Sequence, residues 1–237
     1  MEPCIQAVHI TKKFPGVLAL NDISIDFYPG EVHALLGENG AGKSTLIKIL
    51  SGVYTATEGK VMLNGREMYF QSPRQALDAG ISVIHQELSI ANDLTVAENI
   101  YLGAEPRQKN GVFVDKKKMI ADAQAVLDFM KVNIKATDLA RDLTAAQQQM
   151  AEIAKIIVKN SKVVIMDEPT SSLSEHEIAA LFEQIRMLKE KNVAVIYISH
   201  RMKEIFEMCD RATVLRDGCF VSTCMIKDVT ENQIVTS

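Results

Sequence analysis

The nine residues Gly37-Glu38-Asn39-Gly40-Ala41-Gly42-Lys43-Ser44-Thr45 satisfy the pattern G-x-x-x-x-G-K-[ST], whose chemistry is the cradling of a polyphosphate. Glycines let successive backbone N–H groups turn toward phosphate oxygens, and a helix opening at the end of the pattern adds its partial positive charge. Lys43 is then set to reach the β- and γ-phosphates of a nucleotide, and Ser44 to offer a hydroxyl to Mg²⁺. Four fixed positions match by accident in roughly 1% of chains this long, so an incidental glycine-rich turn is a weak account of the segment.

Downstream, the apolar run 163–166 ends in Asp167-Glu168, and the apolar run 193–198 is followed by Ser199 and His200. Both sets of polar groups would lie at the C-terminal edge of a parallel sheet, where open α/β folds bind ligands. With a phosphate loop upstream, Asp167 is expected to hold Mg²⁺ through a bound water and Glu168 to polarise the attacking water. Without that loop the same pair would read as helix-capping acids. His200 can donate from one ring nitrogen to a γ-phosphate oxygen while the protein holds the other. Gln86, after the strand-like segment 81–85, could ligate Mg²⁺ or position water, although an isolated glutamine has little specificity. His9, His33, His85 and His176 have no assigned role.

The elements that must position these groups are legible from periodicity and turn signals. Apolar positions in 5–10, 23–27 and 32–36, separated by Pro15-Gly16 and Pro29-Gly30, predict strands at the start of the chain. Asn64-Gly65 after the short segment 60–63 predicts a hairpin that continues the same small sheet. The phosphate loop sits between the strand 32–36 and a helix over 45–50, the context its mechanism requires. From Ser72 to about Met130 the pattern is mostly helical, with Ser72-Pro73 and Asp115 as helix starts. The lysine run 116–118 reads most simply as a solvated helix face, with lipid headgroups or a partner as the alternative. Met150, Ile153, Ala154 and Ile157 give 145–159 the period of an amphipathic helix. A buried strand over 162–166, a helix over 175–191 and a second buried strand over 193–198 predict a parallel crossover and an α/β core.

Length and composition agree with a folded domain. The 237 residues are 47% hydrophobic, enough for a full core in one large domain or one domain with an inserted lobe. A net charge of -4 and a pI near 5.8 give no electrostatic reason to expect nucleic acid as a partner. No apolar stretch reaches the ~18 residues of a spanning helix, so the chain is not expected to cross a membrane itself. Cys4, Cys209, Cys219 and Cys224 form no C-x-x-C pair, and reduced structural thiols are expected.

At this spacing the phosphate loop, Gln86, Asp167-Glu168 and His200 resemble the nucleotide-binding subunit of an ATP-binding cassette (ABC) transporter, over essentially the whole chain. Within that family, three segments are similar to the N-terminal cassette of bacterial monosaccharide importers of the ribose/galactose/arabinose type. They are Pro15-Gly16-Val17-Leu18-Ala19-Leu20, the segment 147–155 and the segment 168–174. The resemblance implies an α/β fold: a P-loop NTPase core with a parallel sheet, an N-terminal antiparallel β-subdomain and an inserted helical subdomain within about 72–160. It implies that residues 1–237 are one cassette, the first of two in tandem. It also implies ATP and Mg²⁺ as ligands, with Ser44, Gln86 and Asp167 at the metal and Lys43, Gln86, Glu168 and His200 at the reacting phosphate. The implied partners are a second cassette, transmembrane permease subunits and, indirectly, a periplasmic or extracellular solute-binding protein. The implied location is peripheral, on the cytoplasmic face of the plasma (inner) membrane.

Carried over position by position, Phe14 matches the aromatic residue that stacks on adenine, with an ordinary core phenylalanine as the competing account. Gln86 matches the glutamine that senses Mg²⁺ and links to the membrane subunit. His200 matches the switch histidine, and 172–174 the loop that signals across the dimer. The family signature Leu-Ser-Gly-Gly-Gln is replaced by Leu143-Thr144-Ala145-Ala146-Gln147, which keeps the hydroxyl and loses both glycines. Two other functions compete with solute import: an ATP-binding regulatory half with little hydrolysis, and a non-transport ABC ATPase, for which basic insertions would be expected and are not found. A methyl group in place of a signature glycine can obstruct close backbone approach to a γ-phosphate on the facing cassette. In a two-cassette protein, Ala146→Gly is therefore expected to raise the ATPase rate, and an unchanged rate would remove this account of the signature.

Overall fold

The computed structural model describes residues 2–85, 90–108, 111 and 113–235. In chain order the elements are β1 (Ile5–Phe14), β2 (Val17–Phe27), β3 (Val32–Leu36), α1 (Lys43–Leu50), β4 (Glu58–Leu63), β5 (Arg66–Met68), α2 (Pro73–Asp78), β6 (Ile81–Ile84), α3 (Val96–Ile100), α4 (Lys116–Phe129), α5 (Ala145–Val158), β7 (Val163–Asp167), α6 (Glu175–Glu190), β8 (Ala194–Ile198), α7 (Met202–Met208), β9 (Arg211–Arg216), β10 (Cys219–Met225) and α8 (Glu231–Val235). They divide into two compact units. One comprises Met1–Val83, Ser161–Pro169 and Ile185–Ser237; the other comprises Ile84–Asn160 and Thr170–Gln184.

The first unit holds two sheets. The antiparallel one has the order β2-β1-β4-β5, and its β4–β5 connection is Asn64-Gly65, with φ of 49° and 74°. Two successive left-handed residues are what a two-residue hairpin turn needs to match the strand twist. The second sheet has the order β10-β9-β3-β8-β7-β6. In it β3 runs parallel to β8 and β9, β7 parallel to β8, and β10 returns antiparallel to β9. Strands β3 and β8 are buried throughout and β7 up to its last residue, so their apolar runs do not alternate. Ile5, Ile10 and Phe27 of the first sheet, Leu46 and Leu50 of α1, and Ile165 and Ile196 of the second share one apolar core.

The second unit is built on helices with well-formed starts. Thr95 and Glu98 make a reciprocal capping box on α3, the Asp115 carboxylate accepts from the Lys118 N–H at 3.0 Å on α4, and Thr144 and Gln147 make a second capping box on α5. Ile100, Leu127 and Ile153 are fully buried on the helices α3, α4 and α5.

Several expected boundaries shift. The strands expected over 5–10 and 23–27 are parts of one long β1–β2 hairpin, whose register slips three times along its length. Each bulge inserts a residue and breaks the alternation on which the shorter reading rested. Helix α1 opens at Lys43, two residues earlier than expected, because Gly42 with φ of 100° already turns the chain into it. The stretch 72–130 is less helical than expected, since it contains β6 and an antiparallel bridge between Arg107 and Val114.

One polar side chain is buried in the second sheet. His33 on β3 is 1% exposed, with Nε2 at 2.7 Å from Thr213 Oγ1, which in turn shares a hydrogen bond of 2.6 Å with Thr223. Its Nδ1 has no hydrogen-bond partner among the described residues, because the nearby Glu31 carboxylate is engaged by Arg211. Burial, reinforced by the Arg211 charge, pushes the imidazole down to about 3. The unfolded chain therefore takes up a proton that the folded chain refuses, between the ordinary histidine value and about 3. Stability should fall as pH drops through that window, by about 2 kcal/mol from this group at pH 5. Urea unfolding at pH 7.5 and pH 5.0 should show a smaller pH-dependent loss in His33→Gln than in the parent, and equal losses would rule His33 out as the cause.

Candidate functional site

The loop between β3 and α1 is shaped by where side-chain atoms cannot go. A Cβ on Gly37 (φ 145°) would lie 2.3 Å from the Leu215 carbonyl oxygen of β9. A Cβ on Gly42 (φ 100°) would lie 2.6 Å from Leu20 Cδ2 and 2.9 Å from the Ala19 carbonyl oxygen of β2. Gly40 (φ 88°) has nothing within 4 Å of its Cβ direction. Thus Gly37 and Gly42 let the loop sit against neighbouring backbone, while Gly40 keeps its outer side open. The loop is also fastened from behind: the Gly218 N–H donates to the Ala41 carbonyl, and the Asn21 N–H donates to the Gly218 carbonyl.

In front of the loop is a cleft of about 240 Å³. Asn39, Gly40, Ala41, Gly42, Lys43, Ser44 and Thr45 line one side, and Asp167, Glu168 and His200 line the other. Gly37 and Glu38 form the root of the loop, where their carbonyls accept from Lys43 Nζ at 2.6 and 3.0 Å. Burial lowers the Lys43 amine from its ordinary value, opposed by the carboxylates of Glu168 and Asp167. The exposed Ser44 hydroxyl stands in the first turn of α1, whose free N–H groups and partial positive charge favour an anion.

The opposite wall is made by the ends of two adjacent parallel strands. Asp167 is the last residue of β7, paired with Ile198, the last of β8. Glu168 then turns away with φ of 49°, a left-handed conformation that costs a non-glycine residue on the order of 1–3 kcal/mol. Its N–H donates to the Ile198 carbonyl at 3.0 Å, and its Oε1 lies 2.8 Å from His200 Nε2. Glu168 and His200, expected to act separately, are therefore direct partners. The hard oxygen donors of Ser44 and Asp167 on the two sides of the cleft suit Mg²⁺ carried in with phosphate oxygens. Among the described residues no group of three His, Cys, Asp or Glu could hold a metal on protein ligands alone.

Phe14 and residues 143–147 are not among those that line the cleft. Gln86 is outside the described residues. Phe14 ends β1 and does not line the cleft; its ring meets Tyr54 edge-on at 5.4 Å, with Lys12 Nζ 5.0 Å from its centroid. The nearby apolar surface of the cleft comes instead from Val17 and Leu18, 59% and 48% exposed, together with Ala19. These were missed; the signal is the run Val17-Leu18-Ala19-Leu20 after a Pro-Gly turn, which places apolar groups where alternation would put polar ones. The β9–β10 hairpin that braces the loop was also missed, although Asp217-Gly218 between two strand-like runs is a hairpin signal. In the second unit, Leu143 precedes α5, Thr144 caps it, and Ala145, Ala146 and Gln147 form its first turn. The Thr144 N–H donates to Gln147 Oε1 at 3.0 Å, and the Gln147 N–H donates to Thr144 Oγ1 at 3.3 Å.

Comparison with known proteins shows the family to which the chain belongs. Residues 20–171 match the family described as ABC transporter. The ribose import ATP-binding protein RbsA of Yersinia pestis bv. Antiqua (strain Antiqua) is 47% identical over 233 residues, covering 98% of this chain and 46% of that protein. The RbsA of Clostridium perfringens (strain SM101 / Type A) is 46% identical with the same coverage. The chain thus spans about half the length of these relatives. A structure described as the ADP conformation of MJ1267, an ATP-binding cassette of an ABC transporter, superposes with a TM-score of 0.86 at 26% identity, covering 100% of this chain and 98% of that one.

The glycine geometry separates folding from binding. Gly40→Ala meets no neighbouring atom and bears only the strain of a side chain at φ 88°, so it should lower the melting temperature less than Gly37→Ala does while weakening nucleotide binding. Gly37→Ala, driven into the Leu215 carbonyl, should lower thermal stability by several degrees, consistent with a few kcal/mol of overpacking. Thermal melts and fluorescent-nucleotide titrations of the two variants check this, and equal melting temperatures would contradict it.

Proposed function

We propose that this chain, which belongs to the ABC transporter family, binds Mg-ATP in the cleft and hydrolyses it to power import of a monosaccharide or similar small polar solute. The single observation that carries the hydrolytic part is the convergence of Lys43, Asp167, Glu168 and His200 on one cleft beside a phosphate loop. In this reading the loop N–H groups and Lys43 hold the β- and γ-phosphates. Ser44 and Asp167 hold Mg²⁺, with Gln86 as a further ligand or water-positioning group; the ion neutralises negative charge on the phosphates. Glu168 accepts a hydrogen bond from the attacking water and draws its proton away. His200 donates to a γ-phosphate oxygen once that oxygen competes with Glu168 for its Nε2. Val17 and Leu18 offer an apolar seat for the base, with the ring of Phe14 next to the same turn.

The transport role follows from relatives that are import ATP-binding proteins. Its partners would be a second cassette, which this chain's signature 143–147 would face, permease subunits in the membrane, and a solute-binding protein outside it. Attachment to the membrane would run through the permease, at the cytoplasmic face; among the described residues no helix is long and apolar enough to cross a membrane. A second reading is favoured by the start of α5. Ala145 and Ala146, in the first turn after the Thr144 cap, stand at the signature's glycine positions. With a methyl group at each of those positions the backbone offers a facing nucleotide a less close approach, which suits a half that binds ATP and regulates more than it turns over.

Steady-state hydrolysis against protein concentration distinguishes the two. A rate per chain that rises with concentration, and falls by about 100-fold or more in Glu168→Gln with Mg-ATP affinity retained, is expected for a hydrolytic cassette completed by association. Tight Mg-ATP binding without turnover at any concentration would establish the regulatory reading in its place.

A further inference from the structure

We propose that Glu204 is a positioning residue for His200, acting through Ser199 and Arg201, the residues on either side of it. The proposal rests on the reading of His200 as a participant in hydrolysis. Glu204 is the third residue of α7 and is 5% exposed, so its carboxylate is removed from water and its placement depends on the donors around it. Its Oε2 accepts from the Ser199 hydroxyl at 2.7 Å and from the Tyr197 hydroxyl at 2.9 Å, and its Oε1 lies 3.4 Å from Arg201 Nη1. The Ser199 hydroxyl oxygen in turn accepts the Arg201 backbone N–H at 3.0 Å.

These partners straddle His200 in sequence. β8 ends at Ile198 and α7 begins at Met202, so His200 is the middle residue of a three-residue connection. Glu204 reaches back from α7 and takes hold of that connection before and after the histidine. The Ser199 hydroxyl then works in both directions, donating to the carboxylate and accepting from the next backbone N–H but one. The His200 side chain is left pointing into the cleft, 49% exposed, with Nε2 on Glu168. A contact of 2.8 Å between a half-exposed ring and a carboxylate depends on the backbone from which the ring projects, and displacements near 1 Å are enough to degrade such a geometry. A buried carboxylate whose hydrogen-bonded neighbours bracket one cleft residue sets that residue's direction. Glu204 does not line the cleft, so it acts through His200 and not on the nucleotide.

The test compares the parent chain with Glu204→Gln, Ser199→Ala, His200→Ala and the double variant His200→Ala/Glu204→Gln. Hydrolysis is measured at a protein concentration that supports turnover, with Mg-ATP affinity and thermal melting alongside. The His200 imidazole is followed by NMR titration, its resonance assigned by its loss in His200→Ala. Glu204→Gln and Ser199→Ala should each lower kcat by roughly 10-fold with KM and affinity unchanged, and should move the His200 titration midpoint. The double variant should be no slower than His200→Ala alone, as expected for residues acting as one unit. Full kcat with an unmoved His200 titration in either variant overturns the proposal, as do effects that multiply in the double variant. If His200→Ala keeps full activity while Glu168→Gln is inactive, the reading of His200 fails and this proposal falls with it. If His200→Ala is slow and Glu204→Gln is not, the proposal alone fails. Should Glu204→Gln not fold, Ser199→Ala, which removes one hydroxyl, decides the matter.

Discussion

The rest of the first unit depends on a backbone contact that leaves no room for a side chain. Gly37 comes so close to the Leu215 carbonyl that even a methyl group would overlap it, and Gly42 and Gly218 meet the Ala19 carbonyl in the same way. Three segments distant in sequence, the starts of β2 and α1 and the end of β9, thus converge on one phosphate-sized loop. Close approach fixes the loop through excluded volume, a steeper constraint than a hydrogen bond of the same length. The bonds among Asn21, Gly218 and Ala41 then set its register. The buried strand β3 behind the loop belongs to the core shared by both sheets, so this unit's packing is transmitted to the position of the loop.

Strand pairing supplies the other half of the site. Because β7 and β8 are parallel neighbours in register, their last residues Asp167 and Ile198 lie side by side, and the chemistry of both chains emerges at one edge. The left-handed turn at Glu168 is stabilised by its N–H bond to Ile198, which ties it to the strand that leads to His200. The strain at Glu168 is therefore carried by the same hydrogen bond that brings its carboxylate to the histidine. A relaxed, extended Glu168 would continue β7 past the edge of the cleft and lose that proximity.

Much of this was legible in the sequence, for identifiable reasons. The phosphate loop, the acidic pair and His200 are readable because each sits at the end of an apolar run, and a run's end needs no knowledge of its neighbours. The helix start at Asp115 is readable because capping acts within four residues, whereas Thr144 and Gln147, read only as parts of the signature, turn out to cap α5. What could not be read is what two distant segments impose on each other. Nothing near Gly37 announces Leu215, nothing near Glu168 announces that its backbone is left-handed, and Phe14 does not disclose that its ring edge is taken by Tyr54. The bulges of the β1–β2 hairpin were hidden because a bulge erases the period by which strands are recognised.

The charges of the cleft are already partnered within the protein, and this determines what a phosphate must do there. Lys43 donates to two loop carbonyls and Glu168 is joined to His200, so neither bears a bare charge against the apolar core. A γ-phosphate would have to displace carbonyls from Lys43 and a carboxylate from His200. The first exchange is favourable, since an anion is a stronger acceptor for an ammonium than a neutral carbonyl. The second would leave the Glu168 carboxylate, on the wall of the cleft, without its His200 partner. On the proposed reading of Glu168 as the base, the base would be released by the same group that it is to help hydrolyse, and a water would have no reason to be activated before a phosphate is present.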